Sequence, residues 1–76
     1  MAKQWFSIKL AGGMTRKTAL SRAVERALNF INQHNLGADE FKITFFDETD
    51  LRGNVYLAWA IVFYLAETQL KYVEET

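Results

Sequence analysis

The sequence predicts an α+β fold: a single β-α-β-β domain in which a three-stranded sheet of order 1-3-2 carries one helix on one face. Three observations lead there. Val55–Ala66 (VYLAWAIVFYLA) is a run of twelve residues without a charge, a Ser or Thr hydroxyl, a Gly or a Pro. Residues 3–10 and 39–46 alternate apolar and polar side chains with the period of a strand. Between those two lies one stretch whose apolar residues recur at helical spacing.

The first strand, residues 3–10 (KQWFSIKL), puts Phe6, Ile8 and Leu10 on one face and Trp5, Ser7 and Lys9 on the other. Ala11-Gly12-Gly13-Met14 breaks it, and Thr15 is placed to cap the next element. A helix over residues 15–36 follows. Its apolar stripe is Ala19, Leu20, Ala23, Val24, Ala27, Leu28, Phe30 and Ile31, and Arg22, Glu25, Arg26, Asn29, Asn32 and Gln33 form the opposite face. Gly37 sits where a C-terminal cap belongs. The second strand, residues 39–46, sends Phe41, Ile43 and Phe45 one way and Lys42, Thr44 and Phe46 the other. Residues 47–54 (DETDLRGN) read as a polar loop with Gly53-Asn54 as its turn signal. The third strand covers residues 54–66. Residues 67–76 form a charged tail anchored only by Leu70, Tyr72 and Val73.

Helix and strand compete for the apolar run. A helix apolar on every side demands burial all round, and 76 residues leave too little material to surround it. A central strand covered on both faces needs no more than its neighbours, and the β-branched and aromatic residues of the run suit a pleated surface. At about 3.3 Å per residue such a strand is about 40 Å long. The helix between strands one and two makes a right-handed crossover that leaves them parallel, with space between them for an antiparallel third. That strand is then apolar because it is central.

The helix covers one sheet face and nothing in the chain covers the other. We assign the larger alternate set, Leu57, Trp59, Ile61, Phe63 and Leu65, to the helix side. Tyr56, Ala58, Ala60, Val62 and Tyr64 then face outward beside Trp5 and Phe46, as an expected interface. The reverse register leaves a greasier outward face. Exposed apolar patches of this size mark interfaces, and small residues flanked by Tyr and Trp also form a trough for a flat ligand.

Composition narrows the function. Half the residues are apolar and 14% aromatic, which excludes intrinsic disorder. So small a domain buries only about 60% of the surface its unfolded chain exposes, and without cysteine it has no disulfide or thiolate metal site to compensate. Self-association is the expected stabiliser. Nine basic and nine acidic residues give zero net charge, which disfavours nucleic acid. No signal peptide is read, and the apolar run is too short for a membrane-spanning helix. The expectation is a soluble, cytoplasmic protein.

No motif carries catalysis. Gly12-Gly13 followed by Arg16 and Lys17 resembles a weak anion cradle at a strand-to-helix turn, but neither P-loop nor dinucleotide spacing is present. Asp47, Glu48 and Asp50 read as a solvated hairpin loop rather than cation ligands, so no metal is expected. His34 stands alone near a helix end, and Ser7 and Ser21 have no general base in reach. The chain is not expected to be an enzyme.

With β-α-β-β order, a Gly-marked turn after strand one and a last strand ending in FYLAE, residues 6–67 resemble the dodecins. The resemblance implies a hollow homo-oligomer assembled through the free face of the long strand, and in that family flavin is held between aromatic side chains. The dodecins' flavin-stacking Trp precedes a Phe early in strand two, where this chain has Glu40 before Phe41, and their last-strand glutamine falls near Leu57. No cofactor is therefore expected. The same plan is similar to small sporulation and phage-type proteins, from which no activity follows. The expectation is a non-catalytic binding or structural module that self-associates through its uncovered face. Its alternatives are a dodecin-like carrier of a flat aromatic ligand, a groove for a heterologous protein, and a nucleic-acid module using Arg16, Lys17, Arg22 and Arg26.

Overall fold

A computed structural model of the chain describes residues 2–13, 18–53 and 55–74, with the side chains at 13, 55 and 56 outside that description. The expected order holds: β1 (Gln4–Gly13), α1 (Ala19–Gln33), β2 (Phe41–Thr49) and β3 (Val55–Ala66). The sheet runs β1-β3-β2, with β3 antiparallel to both neighbours, so the two edge strands are parallel to each other.

The boundaries move for identifiable reasons. β1 continues past Leu10 through both glycines instead of ending before them. Its register against β3 shifts between Ala11 and Gly13, which makes Gly12 a bulge residue inside a strand. The reason for glycine is close approach to the helix. A Cβ on Gly12 would lie 2.8 Å from the Ala23 nitrogen and 2.9 Å from the Ala19 carbonyl carbon, and closer still to the Ala19 oxygen.

α1 begins at Ala19 with Thr18 as N-cap, and the Thr18 side chain makes no capping bond. Thr15, the expected cap, lies outside the described residues. At the other end His34 is the C-cap, and the left-handed residue that follows it is Asn35, not Gly37. Asn35 takes φ +51°, its N–H bonds the Asn32 carbonyl at 3.3 Å, and the Leu36 N–H bonds the Ile31 carbonyl at 3.1 Å. Those two bonds form a Schellman motif, with Asn in the left-handed position that Gly more often fills. Gly37 instead opens a turn, in which its N–H donates to Glu40 Oε1 at 2.9 Å and its carbonyl accepts the Glu40 N–H.

β2 begins at Phe41 and runs on to Thr49, so Asp47, Glu48 and Thr49 belong to a strand rather than a loop. The connection is a tight turn. The Gly53 N–H bonds the Asp50 carbonyl, Asp50 Oδ1 accepts the Arg52 N–H, and Gly53 sits at φ +84°.

The core lies between α1 and the sheet. Ala19, Ala23, Ala27 and Phe30 of the helix are fully buried against Leu10 of β1 and Ala58, Ala60, Val62 and Tyr64 of β3. The expected assignment of the two β3 faces is thus reversed: the smaller, even-numbered set meets the helix. A helix presenting Ala at every fourth position comes close to the sheet, and only small residues fit at the crossing point. α1 packs on β1 and β3 and touches β2 far less.

The tail also belongs to the fold. Residues 67–74 have no regular structure, yet side chains hold their backbone. Gln33 donates to the Val73 carbonyl and accepts the Val73 N–H, and His34 Nε2 lies 2.7 Å from the Lys71 carbonyl. Arg26 pairs with Glu74 at 3.2 Å and also bonds the Ala11 carbonyl beside the bulge.

Candidate functional site: the uncovered sheet face

Alternation along each strand decides what the face away from α1 carries, a face over which none of the described elements packs. With even-numbered β3 residues under the helix, Leu57, Trp59, Ile61, Phe63 and Leu65 point away from it. Pairing places Trp5 opposite Leu65, Ser7 opposite Phe63 and Lys9 opposite Ile61 on one side. Lys42 lies opposite Phe63, Thr44 opposite Ile61, Phe46 opposite Trp59 and Glu48 opposite Leu57 on the other. The result is an apolar row along β3 flanked by two aromatic and mostly polar edges.

The aromatic groups are arranged in two places. Phe46 and Trp59 stack with centroids 5.6 Å apart and planes 14° from parallel, and Lys9 Nζ sits 4.9 Å from the Trp59 ring centre. That is the geometry of a cation–π contact. Towards the other end, Trp5, Lys42 and Phe63 line a shallow cleft of about 220 Å³. Trp5 is 52% exposed, and Phe46 and Phe63 about 40%. Beyond the cleft, Lys3 and Glu40 pair at 2.9 Å, linking the residues that precede β1 and β2. The Glu40 carboxylate holds the Lys3 ammonium above its ordinary value. Glu40 is in turn held below the usual carboxylate range, first by Lys3 and then by the Gly37 amide.

Of the expected interface residues, Trp5 and Phe46 are on the open face. Ala58, Ala60, Val62 and Tyr64 are not: each is fully buried beneath α1. Tyr64 is the aromatic centre of the core, 5.7 Å from Phe6 and 5.1 Å from Phe30, and its hydroxyl accepts the Leu70 N–H at 2.8 Å. The Tyr56 side chain lies outside the described residues. Trp59, Phe63, Lys9 and Lys42 are the residues that sequence reasoning placed inward or left out.

The other candidates disperse. Arg16 and Lys17 lie outside the described residues, and Gly12 is accounted for by helix packing. Asp47 and Glu48 fall on opposite faces of β2, while Asp50 bonds its own turn. Among the described residues no three His, Cys, Asp or Glu gather as metal ligands. Ser21 bonds the Thr18 carbonyl, and His34 packs 4.9 Å from Phe30 while holding the tail. A second hollow of about 180 Å³, between α1 and the tail, is lined by Arg22, Glu25, Arg26, Asn29, Tyr72 and Glu74. Its charges are mixed. Among the described residues no helix is long and apolar enough to cross a membrane.

No family model, no curated protein and no solved structure matches the chain.

Proposed function

We propose that this chain is a small non-catalytic binding or structural module that associates with copies of itself through the uncovered sheet face. One observation supports it above the others: Trp5, Phe46, Trp59 and Phe63 share that face with Leu57, Ile61 and Leu65, outside the domain's own core. Contiguous apolar surface of this extent marks a contact surface on a water-exposed protein, and a domain without disulfides gains stability by covering it.

Light-scattering mass at micromolar concentration tests the reading. The parent chain is expected as an oligomer, and Phe63→Asp, which puts a charge in the centre of the face, as a smaller species. A strictly monomeric parent would overturn it. A second reading, carriage of a flat aromatic ligand, is favoured by the cleft between Trp5 and Phe63 with Lys42 at its rim. Flavin fluorescence quenched on titration supports that reading, and unquenched fluorescence at micromolar protein rejects it for flavin.

A further inference from the structure

The two edges of the sheet are built differently. β1 carries the bulge at Gly12, and Arg26 occupies the Ala11 carbonyl beside it. β2 pairs with β3 on one side only and runs nine residues, Phe41–Thr49, with no proline; its register against β3 shifts once, between Glu48 and Thr49, where the unmatched residue is on β3 and not on β2. Natural edge strands are usually kept from pairing by proline, bulges, short length or clustered lysines. β2 has one lysine.

The sequence of β2 is complementary to itself. Two copies of an edge strand that meet about a two-fold axis pair antiparallel, and residues opposite each other must point to the same side of the sheet. The two residue numbers in each pair therefore sum to an even constant. Only a sum of 90 pairs all nine residues of β2, with Phe45 opposite Phe45 on the axis. In that register Lys42 of each copy faces Glu48 of the other, and Thr44 faces Phe46, on the uncovered side. Sums of 88 or 92 lose two residues from the pairing. The first puts Lys42 opposite Phe46, and the second moves it past the strand end, opposite Asp50. On the helix side, Phe45 is 42% exposed because α1 barely reaches β2. Leu20 and Leu28 of α1 are similarly exposed, at 44% and 51%. They lie on the helix flank opposite the one that carries Arg26 and Gln33 to β1 and the tail.

We propose that β2 is a pairing edge for a second copy of this chain, joined antiparallel about Phe45 into a continuous six-stranded sheet with both helices on one side. The inference goes beyond association through the open face and supplies what that face lacks. Three strands about 4.8 Å apart and about nine residues long offer about 430 Å² of face. A standard interface takes about 800 Å² from each partner. Two sheets joined at β2 present about twice the single area as one apolar surface.

The test uses charge reversal and single cysteines in the full chain, which has no cysteine of its own. Lys42→Glu and Glu48→Lys each set like charges opposite one another twice per dimer, and each is expected to weaken dimerisation about tenfold or more. The Lys42→Glu/Glu48→Lys double variant is expected to restore it. Phe45→Cys is expected to form an intermolecular disulfide under mild oxidation, since residues paired across antiparallel strands have Cα atoms about 4.5–5.5 Å apart. Asp47→Cys, about 14 Å from its own copy in this register, is expected not to. The inference is overturned if the double variant dimerises no better than the single ones, or if Phe45→Cys crosslinks no faster than Asp47→Cys. The cysteine pair lies on the helix side, away from the open face. Phe45→Cys crosslinking in a Phe63→Asp background therefore separates failure of the face reading from failure of this one.

Discussion

Gly12→Ala is the substitution the fold should tolerate least. The added methyl would lie 2.8 Å from the Ala23 nitrogen and 2.9 Å from the Ala19 carbonyl carbon, with the Ala19 oxygen nearer still. These are backbone atoms in the first turns of α1, so no side chain can rotate to make room. The helix must lift by about 1 Å, and a gap of that size forfeits a quarter to a half of each dispersion contact it opens. Those contacts belong to Ala19, Ala23 and Ala27, all with zero exposure. Overpacking costs about 1–3 kcal/mol and occasionally more; with a rigid obstacle we expect about 3 kcal/mol. Restricting the unfolded chain offsets only about 0.4–1 kcal/mol of it. A domain of this length is stable by about 4–11 kcal/mol, so a large fraction is lost. With a urea slope of about 1 kcal/mol/M, the unfolding midpoint should fall by about 2–3 M, read by circular dichroism. Gly53→Ala is the comparison. It meets no atom within 4 Å and is disfavoured only by φ +84°, about 1–2 kcal/mol. A Gly12→Ala midpoint within about 0.5 M of the parent would refute the close-packing argument. If that variant also lost phosphate binding, the glycine would belong to an anion cradle instead.

Further predictions concern the ends of the sheet and the tail. Because the Glu40 carboxyl is held below its ordinary 4.5, the unfolded chain binds more protons there. Its contribution is complete above that ordinary value and disappears as pH falls through the lowered one. The stability difference between parent and Glu40→Gln should therefore shrink in acid, and a difference unchanged from neutral pH to about pH 3 would dismiss the Lys3–Glu40 pair. Gln33→Ala removes both bonds to Val73 and should cost about 1–2 kcal/mol. It should also speed tryptic cleavage after Lys71, and cleavage at the parent's rate would show that the tail is held elsewhere.

The order of elements, the central place of β3 and the single covered face were legible because each rests on periodicity and length. What failed to read through was the choice between two apolar faces. Bulk alone favoured Leu57, Trp59, Ile61, Phe63 and Leu65 for the core, and bulk was the wrong criterion. The available signal was complementarity: Ala19, Ala23 and Ala27 form a line of small side chains on the helix, and Gly12, Ala58 and Ala60 match it on the strands. Close approach on that line excludes Trp59 from beneath the helix. Asn35 was missed as the left-handed residue that closes the helix because glycine is commoner in that role and Gly37 stands nearby, though the bonds to Ile31 and Asn32 place it two positions earlier. The tail's path depends on Gln33, His34 and Tyr64 meeting backbone groups far along the chain, and no local pattern encodes that.

The reversal of faces bears directly on the proposed role. Had the even-numbered set been outermost, its small residues between Tyr and Trp would have made a trough suited to a flat ligand. With the odd-numbered set outermost, the face is a ridge of large side chains along β3, and the cleft between Trp5 and Phe63 is about 220 Å³. Ligand pockets run from about 300 to 1,000 Å³ and enclose most of their occupant. Here the walls, Trp5 and Phe63, are themselves half exposed, with the Lys42 ammonium at the rim. Phe46 and Trp59 are already stacked on each other, with Lys9 over the indole, so those rings do not stand apart as a clamp. Such a surface has area rather than depth. Area is what another sheet can cover, and joining two copies at β2 is the route by which this chain would acquire enough of it.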